Sequence, residues 1–455
     1  MTIEIINFLN WLVLWYLIAL SLGYIILLAA SIPDVFFQFK ETELGNFNRL
    51  MQSQVMLPVT VIISAYNEEN MILDTIYSII KNTYLHTHIL IVNDGSTDKT
   101  LEKLTAVFNL KKIHPLVPQK IKTSGKIRDY YTSNFQMNIT VIDKENSGKS
   151  DSLNIAVNSC RTPLFITLDA DTIIEPDAIT NIMFYLLTHT NTVAVGGAVY
   201  ILNGCKYEQG EIIERKMALK PLPALQTCEY MRSFLFNRSG WNTFQGALSY
   251  AGAFTLLDHK AVNNIGGFDE ENLAQDFEIT THLHEYERKQ KRVYTVGYTA
   301  AAAAWTDVPT TLKSYWLQRY NWQRDTLRSL LLHKKMCFNP KYGWTGLFTY
   351  PFYLFGETLG VCIEFLAYIL VVISWYIGIL DAYWALLLIG ICWGFVTLIT
   401  MATALMNFIT YNKYRKLSDL VWFLFISITE NFGFRQFLIS ARIAGTFGYF
   451  FSKKK

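Results

Sequence analysis

The apolar run Leu164–Leu168 ends in Asp169-Ala170-Asp171, two carboxylates one residue apart. Hard oxygen donors of this kind suit Mg2+ or Mn2+, which bind one or two carboxylates together with substrate phosphates. Upstream, KENSGKSDSLN supplies a flexible Gly148 and a point cation, Lys149. This stretch is not a P-loop. That motif needs a glycine where Asp143 stands, and a carboxylate there repels phosphate. Lys149 reads instead as a diphosphate partner beside a metal at Asp169 and Asp171. Asp94, in VNDGS, is placed to accept hydrogen bonds from a nucleobase or ribose. These parts describe a nucleoside diphosphate with its metal. Downstream, Asp276 in AQDFE is a candidate general base, with a helix cap as the plainer reading. Gln318, Arg319 and Trp322 in QRYNWQR suggest an aromatic and cationic binding strip.

Positioning these groups calls for a sheet. Val59 to Ala65, His88 to Val92, Thr140 to Ile142 and Leu164 to Leu168 are short apolar, β-branched runs that read as buried strands. MILDTIYSIIK between the first two has helical spacing, and Thr97 to Thr100 opens another helix. Alternating strand and helix predict an α/β fold with a parallel sheet, whose ligands sit beyond the carboxyl ends of the strands. Glu68, Asp94, Lys149, Asp169 and Asp171 all follow strand ends, so they are expected to converge. The basic run from Lys111 to Arg128, with Pro115 and Pro118, reads as a solvated loop. Ala300 to Ala304 reads as tight packing. His282 and His284 in THLHE are two apart on a helix, point to different sides, and are not expected to share a metal.

The 455 residues are 51% hydrophobic and only 17% charged, against ~25% for a soluble domain. Part of the chain is therefore expected to meet lipid. The net charge of +3 gives no ground for bulk nucleic-acid binding. Six scattered cysteines with no CxxC pair read as thiols of a reducing compartment. Phe8 to Ala30 carries no charge and is long enough to span a bilayer. MTIEIINF lacks the basic start of a cleaved signal, so a retained anchor is expected. Phe365 to Leu380 and Ala382 to Tyr411 read as two further spans around Asp381. The basic NKYRK (412–416) and the Lys453–Lys455 tail place their side in the cytoplasm, together with the polar middle, and the N-terminus outside. The expected organisation is an anchor at 1–35, a linker at 36–57, a cytoplasmic catalytic domain at 58–340, an interfacial segment with two spans at 341–411, and at 412–455 a loop, re-entrant or interfacial helices and a basic tail. Glu357 and Glu364, seven apart, are expected to share a helix face turned toward protein, water or a polar conduit, or to be solvated at the interface.

In order, AYNEE, VNDGS, ENSGKSDSLN, DAD, AQDFE and QRYNW resemble membrane-bound family 2 glycosyltransferases, which include the synthases of cellulose, hyaluronan, chitin and poly-N-acetylglucosamine. VIDKENSGKSDSLN, GGAVYILNGC, SYAGAFTLL and FNPKYG are similar to segments of the poly-β-1,6-N-acetylglucosamine synthase-like branch. The resemblance covers about Pro58 to Trp322. It implies a GT-A type α/β domain with flanking transmembrane helices in the cytoplasmic (inner) membrane, working on exopolysaccharide. It implies an inverting enzyme with Mg2+ or Mn2+, a UDP-sugar donor such as UDP-N-acetylglucosamine or a UDP-hexose, and a polysaccharide or lipid-linked acceptor. Small membrane or periplasmic export subunits would be partners. It also implies Tyr66, Glu68 and Asp94 as nucleoside contacts, Lys149 as the diphosphate contact, and Asp169 with Asp171 as the metal motif. Asp276 would be the base, and Gln318, Arg319 and Trp322 the acceptor and diphosphate strip. Two positions depart from the family pattern: Gln275 stands where Glu precedes the base, and Asn321 where Arg precedes Trp322.

Overall fold

Residues 2–43, 56–133, 138–414 and 416–451 are described by a computed structural model. One ten-stranded sheet dominates them. Its members are β1 (Val59–Ala65), β2 (Thr87–Asp94), β3 (Lys111–Ile113), β4 (Ile127–Ser133), β5 (Ile139–Lys144), β6 (Leu164–Asp169), β7 (Thr172–Ile174) and β8 (Thr192–Ile201). A small hairpin, β9 (Lys206–Glu208) and β10 (Glu211–Glu214), stands apart, and β11 (Phe254–Asp258) and β12 (Thr295–Thr306) complete the sheet. The order is β3-β4-β5-β2-β1-β6-β11-β8-β12-β7.

The centre, β5-β2-β1-β6, is parallel and buried on both faces, as the continuous apolar runs require. The sheet as a whole is mixed, which corrects the expectation of a parallel one. β11 runs antiparallel to both β6 and β8, and β4 runs antiparallel to β5. Register brings the strand ends level. Ser64 lies opposite Asp169, Ala65 opposite Asn93, and Asp94 opposite Lys144, so the ends of β1, β2, β5 and β6 form one edge. Because β11 is antiparallel, with Phe254 opposite Leu168, its start reaches the same edge.

The basic run is not a free loop. Its two ends are β3 and β4, which extend the sheet. Between them, Lys120 and Ile121 donate their backbone N–H to Asn158 Oδ1, and Ser124 and Gly125 donate theirs to Asp151. Backbone donors in irregular chain need such acceptors, and the helix Lys149–Ser159 supplies them. Ala300–Ala304 lies within β12 and is buried throughout.

The N-terminal helix runs from Thr2 to Glu43, so residues 36–43 of the expected linker are helical. Its last turns are held down. Gln38 donates to the Tyr298 carbonyl (3.0 Å) and accepts from Ala300 N–H (2.9 Å), satisfying β12 backbone. The rest of the linker (44–55), Arg415 of NKYRK and the Lys453–Lys455 tail lie outside the described residues. Among the described residues, three helices are long and apolar enough to cross a membrane: Ile3–Thr42, Thr345–Tyr376 and Ala382–Ile409. A fourth element, Leu417–Thr429 with Phe434–Phe451, is bent by 62° at its break. Glu357 lies near the end of a π-helical segment, Phe352–Thr358, and Glu364 in the following α-helix, Gly360–Tyr376, and both carboxylates are turned toward protein. Glu357 accepts from Tyr24 and Asn237, while Glu364 pairs with Arg435 at 2.5 Å.

Candidate active site

The sheet edge holds the chemistry. Asn67, just beyond β1, has a positive φ of 58°, which asparagine tolerates. Its side-chain oxygen accepts from Thr97 N–H at 2.8 Å, tying the first strand-end turn to the second. Tyr66 beside it is half exposed. Glu68 follows, its backbone N–H held by Thr100. Burial, then the charges of Asp171, Asp169 and Asp98, push the Glu68 carboxyl up to about 7.

Asp94 is buried, and its carboxylate is already engaged. Oδ1 accepts from Lys144 Nζ and from Ser147 N–H (2.9 Å), and Oδ2 from Gly148 N–H (3.0 Å). Lys144 is 0% exposed and also pairs with Asp151 at 3.2 Å. Asp151 in turn accepts from Ser124, Gly125 and Ser147. This buried Asp94–Lys144–Asp151 knot shapes the turn at Gly148, whose φ of +99° favours glycine. The opening Lys of KENSGKSDSLN is thus structural, and the second one is presented outward. Lys149 begins the helix and sets its Nζ 2.5 Å from Asp169 Oδ1, with both side chains about one-third exposed. Burial disfavours the Lys149 ammonium, but Asp169, with Asp276 and Asp171, outweighs it and raises its pKa.

Asp171 accepts from Thr306 at 3.2 Å. Burial first, then Asp169, raises its carboxyl to about 6 against the opposing pull of Lys149. Asp169 adds to the rise of Asp171, and both add to that of Glu68, so this edge gathers carboxylate oxygens short of positive charge. Asp169, Asp171 and the neighbouring Glu68 therefore fit a hard divalent cation.

Asp276 stands in the first turn of the helix Gln275–Lys289, after Ala274 at the cap. Gly252 N–H, just before β11, donates to Asp276 Oδ2 at 3.2 Å. The antiparallel strand thus delivers an N–H that orients the carboxylate. Burial raises the Asp276 pKa, opposed by Arg238 and Lys149. Lys149, Gly252, Gln275 and Asp276 line one pocket with Thr167 and Thr255. A carboxylate with raised proton affinity facing a cavity has the character of a general base.

The strip lies on the long helix Leu312–Leu332. Arg319 turns inward. Its guanidinium pairs with Glu229 at 2.5 Å, donates to Gln318 Oε1 at 2.6 Å, and lies over the rings of Tyr315 (4.6 Å) and Trp322 (4.2 Å). Trp322 is 44% exposed. Arg324 is held by Asp325 at 2.8 Å, so neither arginine is presented free where Asn321 replaces the family's cation. Tyr230 feels the charges of both the strip and the edge carboxylates. Burial pushes its hydroxyl up to about 12, with Arg319, Glu229, Asp171 and Asp169 adding smaller effects. Sequence spacing did not reveal Asn67, Lys144, Asp151, Gly252 or Glu229. Lys144 and Asp151 sit in the quoted motif but gave no sign of their pairing, and Glu229 lies far from any motif.

The family model for glycosyl transferase family 2 matches residues 60–239, and that for glycosyl transferase family group 2 matches 164–428. A poly-beta-1,6-N-acetyl-D-glucosamine synthase of Staphylococcus epidermidis is 28% identical over 335 residues, 72% of this chain and 67% of the relative. The synthase of Staphylococcus aureus strain MSSA476 is 28% identical over 275 residues, 60% of this chain and 55% of the relative. A mannosyltransferase from Pyrobaculum calidifontis, solved with GDP-Man and Mn2+, shares the fold at a TM-score of 0.55 and 15% identity, over 96% of this chain and 100% of its own. With a GT-A sheet edge carrying its carboxylates and lysine in family order, the chain belongs to the family group 2 glycosyl transferases and is a glycosyltransferase.

Proposed function

We propose that this enzyme transfers a sugar, with inversion, from a UDP-sugar (UDP-N-acetylglucosamine or a UDP-hexose) to a growing polysaccharide at the cytoplasmic membrane face. The convergence of Lys149, Asp169, Asp171 and Asp276 on one sheet edge carries the reading. The kinship with poly-beta-1,6-N-acetyl-D-glucosamine synthases favours the donor and the polymeric acceptor. Tyr66 and Glu68 flank the nucleoside end. Asp169 and Asp171 hold a divalent cation, Mg2+ or Mn2+, which when bound neutralises charge gathering on the departing diphosphate. Lys149 swings from Asp169 to donate to the same diphosphate. Asp276, oriented by Gly252 N–H, takes the proton from the acceptor hydroxyl as that oxygen bonds to the anomeric carbon and the nucleotide leaves on the opposite face. Trp322 offers an exposed ring for an acceptor sugar.

The side of the membrane has its own support. Lys413 and Lys416, in the loop after the apolar helix Ala382–Ile409, reach Glu175 and Glu214 of the catalytic domain. A basic loop docked on the domain supports a cytoplasmic side for both, since basic loops are retained there. One observation favours a second reading, single transfer to a lipid-linked acceptor. Glu357 and Glu364 are engaged by protein partners, so they do not form the acidic conduit face that extrusion would use.

The test is turnover of a panel of UDP- and GDP-sugars by the purified protein in lipid, with Mg2+ or Mn2+, and sizing of the product. A polymer from UDP-N-acetylglucosamine, absent with Asp276→Asn, is expected. A single added sugar selects the second reading. Metal-dependent donor binding without turnover would overturn both and mark a binding subunit.

A further inference from the structure

The helix Gln275–Lys289 carries more than the base. In its first turn, Glu278 is 2% exposed, and its Oε2 finds no hydrogen-bond partner among the described residues. A buried carboxylate oxygen left unmatched is costly and calls for a reason. Its other oxygen faces two imidazoles. His282 Nδ1 is 3.4 Å away, one turn along the same helix. His333 Nε2, from the end of the neighbouring helix Leu312–Leu332, is also 3.4 Å away. These separations are long for hydrogen bonds. They match another geometry. A tetrahedral zinc ion with ligands at about 2.1 Å has ligand–ligand edges of about 3.4 Å.

We infer that Glu278, His282 and His333 form a second, borderline-metal site of the Zn2+ class, separate from the Asp169–Asp171 edge. All their ligand atoms lie within 4.8 Å of one another. The outer partner is in place: Glu285 Oε2 lies 2.5 Å from His333 Nδ1, which leaves Nε2, the ring's other nitrogen, to face Glu278. Zinc-bound histidines characteristically use their other nitrogen in this way. His284, the other histidine of THLHE, is spent elsewhere, on Tyr294 and the Ala247 carbonyl. His282 is about one-third exposed, which gives the ion a way in and leaves a fourth position for water. Imidazole donors favour Zn2+ and disfavour Mg2+ and Mn2+, so the two sites sort cations by ligand type. The ion would clamp the helix bearing Asp276 to the helix bearing Arg319 and Trp322.

The experiment uses the full chain in lipid, stripped of metal and titrated with Zn2+ against a chromophoric chelator, then with Co2+ as a spectroscopic substitute. The expected result is one tightly held equivalent of Zn2+, with the intense visible absorption of tetrahedral Co2+. Both persist in Asp169→Asn/Asp171→Asn, whose donor site is disabled, and both disappear in His282→Ala. Glu285→Gln is expected to weaken binding about 10–100-fold. The unaltered protein alone also decides the matter: absence of a tight Zn2+ equivalent, or a Co2+ spectrum without tetrahedral character, overturns the site. Retention of full Zn2+ binding in His282→Ala overturns the ligand assignment.

Discussion

Asp276 is singled out by its company. Its carboxylate accepts from one backbone N–H, faces a pocket shared with Lys149, and has its proton affinity raised by burial. Asp276→Asn keeps the shape and removes the base. It is expected to lower kcat about 10²–10⁴-fold, with donor Kd unchanged by calorimetry. Glu229 is a positioning residue. It holds the buried Arg319 guanidinium and accepts from Tyr315 at 2.9 Å, fixing the strip from beneath. Glu229→Gln leaves a buried arginine without its counter-charge, a loss of about 3–5 kcal/mol. The expected readout is a lower Tm, together with a raised KM for the acceptor at unchanged donor Kd, since Trp322 loses the cation stacked on it. An unchanged acceptor KM would reduce Arg319 to a structural brace.

At the scale of elements, the turn at Gly148 depends on a segment 23 residues earlier in the chain, at Gly125. A Cβ on Gly125 would lie 2.4 Å from Asp151 Oδ2 and 2.5 Å from Lys144 Cε. Gly125→Ala therefore forces the buried knot apart. It is expected to cost about 1–3 kcal/mol and to weaken donor binding, read by Tm and by UDP affinity. This knot shows where sequence reading stops. The strands β1, β2, β5 and β6 were legible because a short apolar run ending in polar residues has few other uses. Their carboxylates were legible because strand ends gather ligands. The buried salt bridges of Lys144 were not, since nothing in KENSGKSDSLN says which lysine turns inward. Asp94 reads from sequence as a nucleoside contact, and in the structure its oxygens hold the Gly148 turn. The antiparallel entry of β11 was hidden for a related reason. SYAGAFTLL has the composition of a strand, but direction is set by pairing across 86 positions, Phe254 with Leu168. His333 is a third case: THLHE shows only its own helix, while the partner comes from another.

For the whole molecule, the question is how the catalytic domain is fixed to its apolar helices. Two fastenings lie close to the strip. Arg442, on the helix Phe434–Phe451, donates to Gln323 Oε1 at 2.8 Å, and Gly445 brings that helix against the Tyr320 carbonyl. The second is Arg232, which follows directly on the helix carrying Glu229 and pairs at 2.5 Å with Glu430, at the 62° bend of the last helix pair. Glu430 is 3% exposed, and Thr400 donates to it at 3.2 Å, so the pair joins three segments in a setting poor in water. A buried pair contributes little net stability when intact, because desolvation offsets the Coulomb gain. Breaking it strands a charge. Glu430→Ala is thus expected to cost about 3–5 kcal/mol, seen as a lower Tm in lipid and a loss of transfer that parallels it. Replacing both partners, Arg232→Met with Glu430→Leu, removes the stranded charge and is expected to recover most of that stability. Recovery of Tm without recovery of transfer would mean that the pair orients Glu229 and the strip as well as anchoring the domain. A Glu430→Ala effect no larger than about 0.5 kcal/mol, the range of an ordinary surface substitution, would show that the bend is held by packing alone.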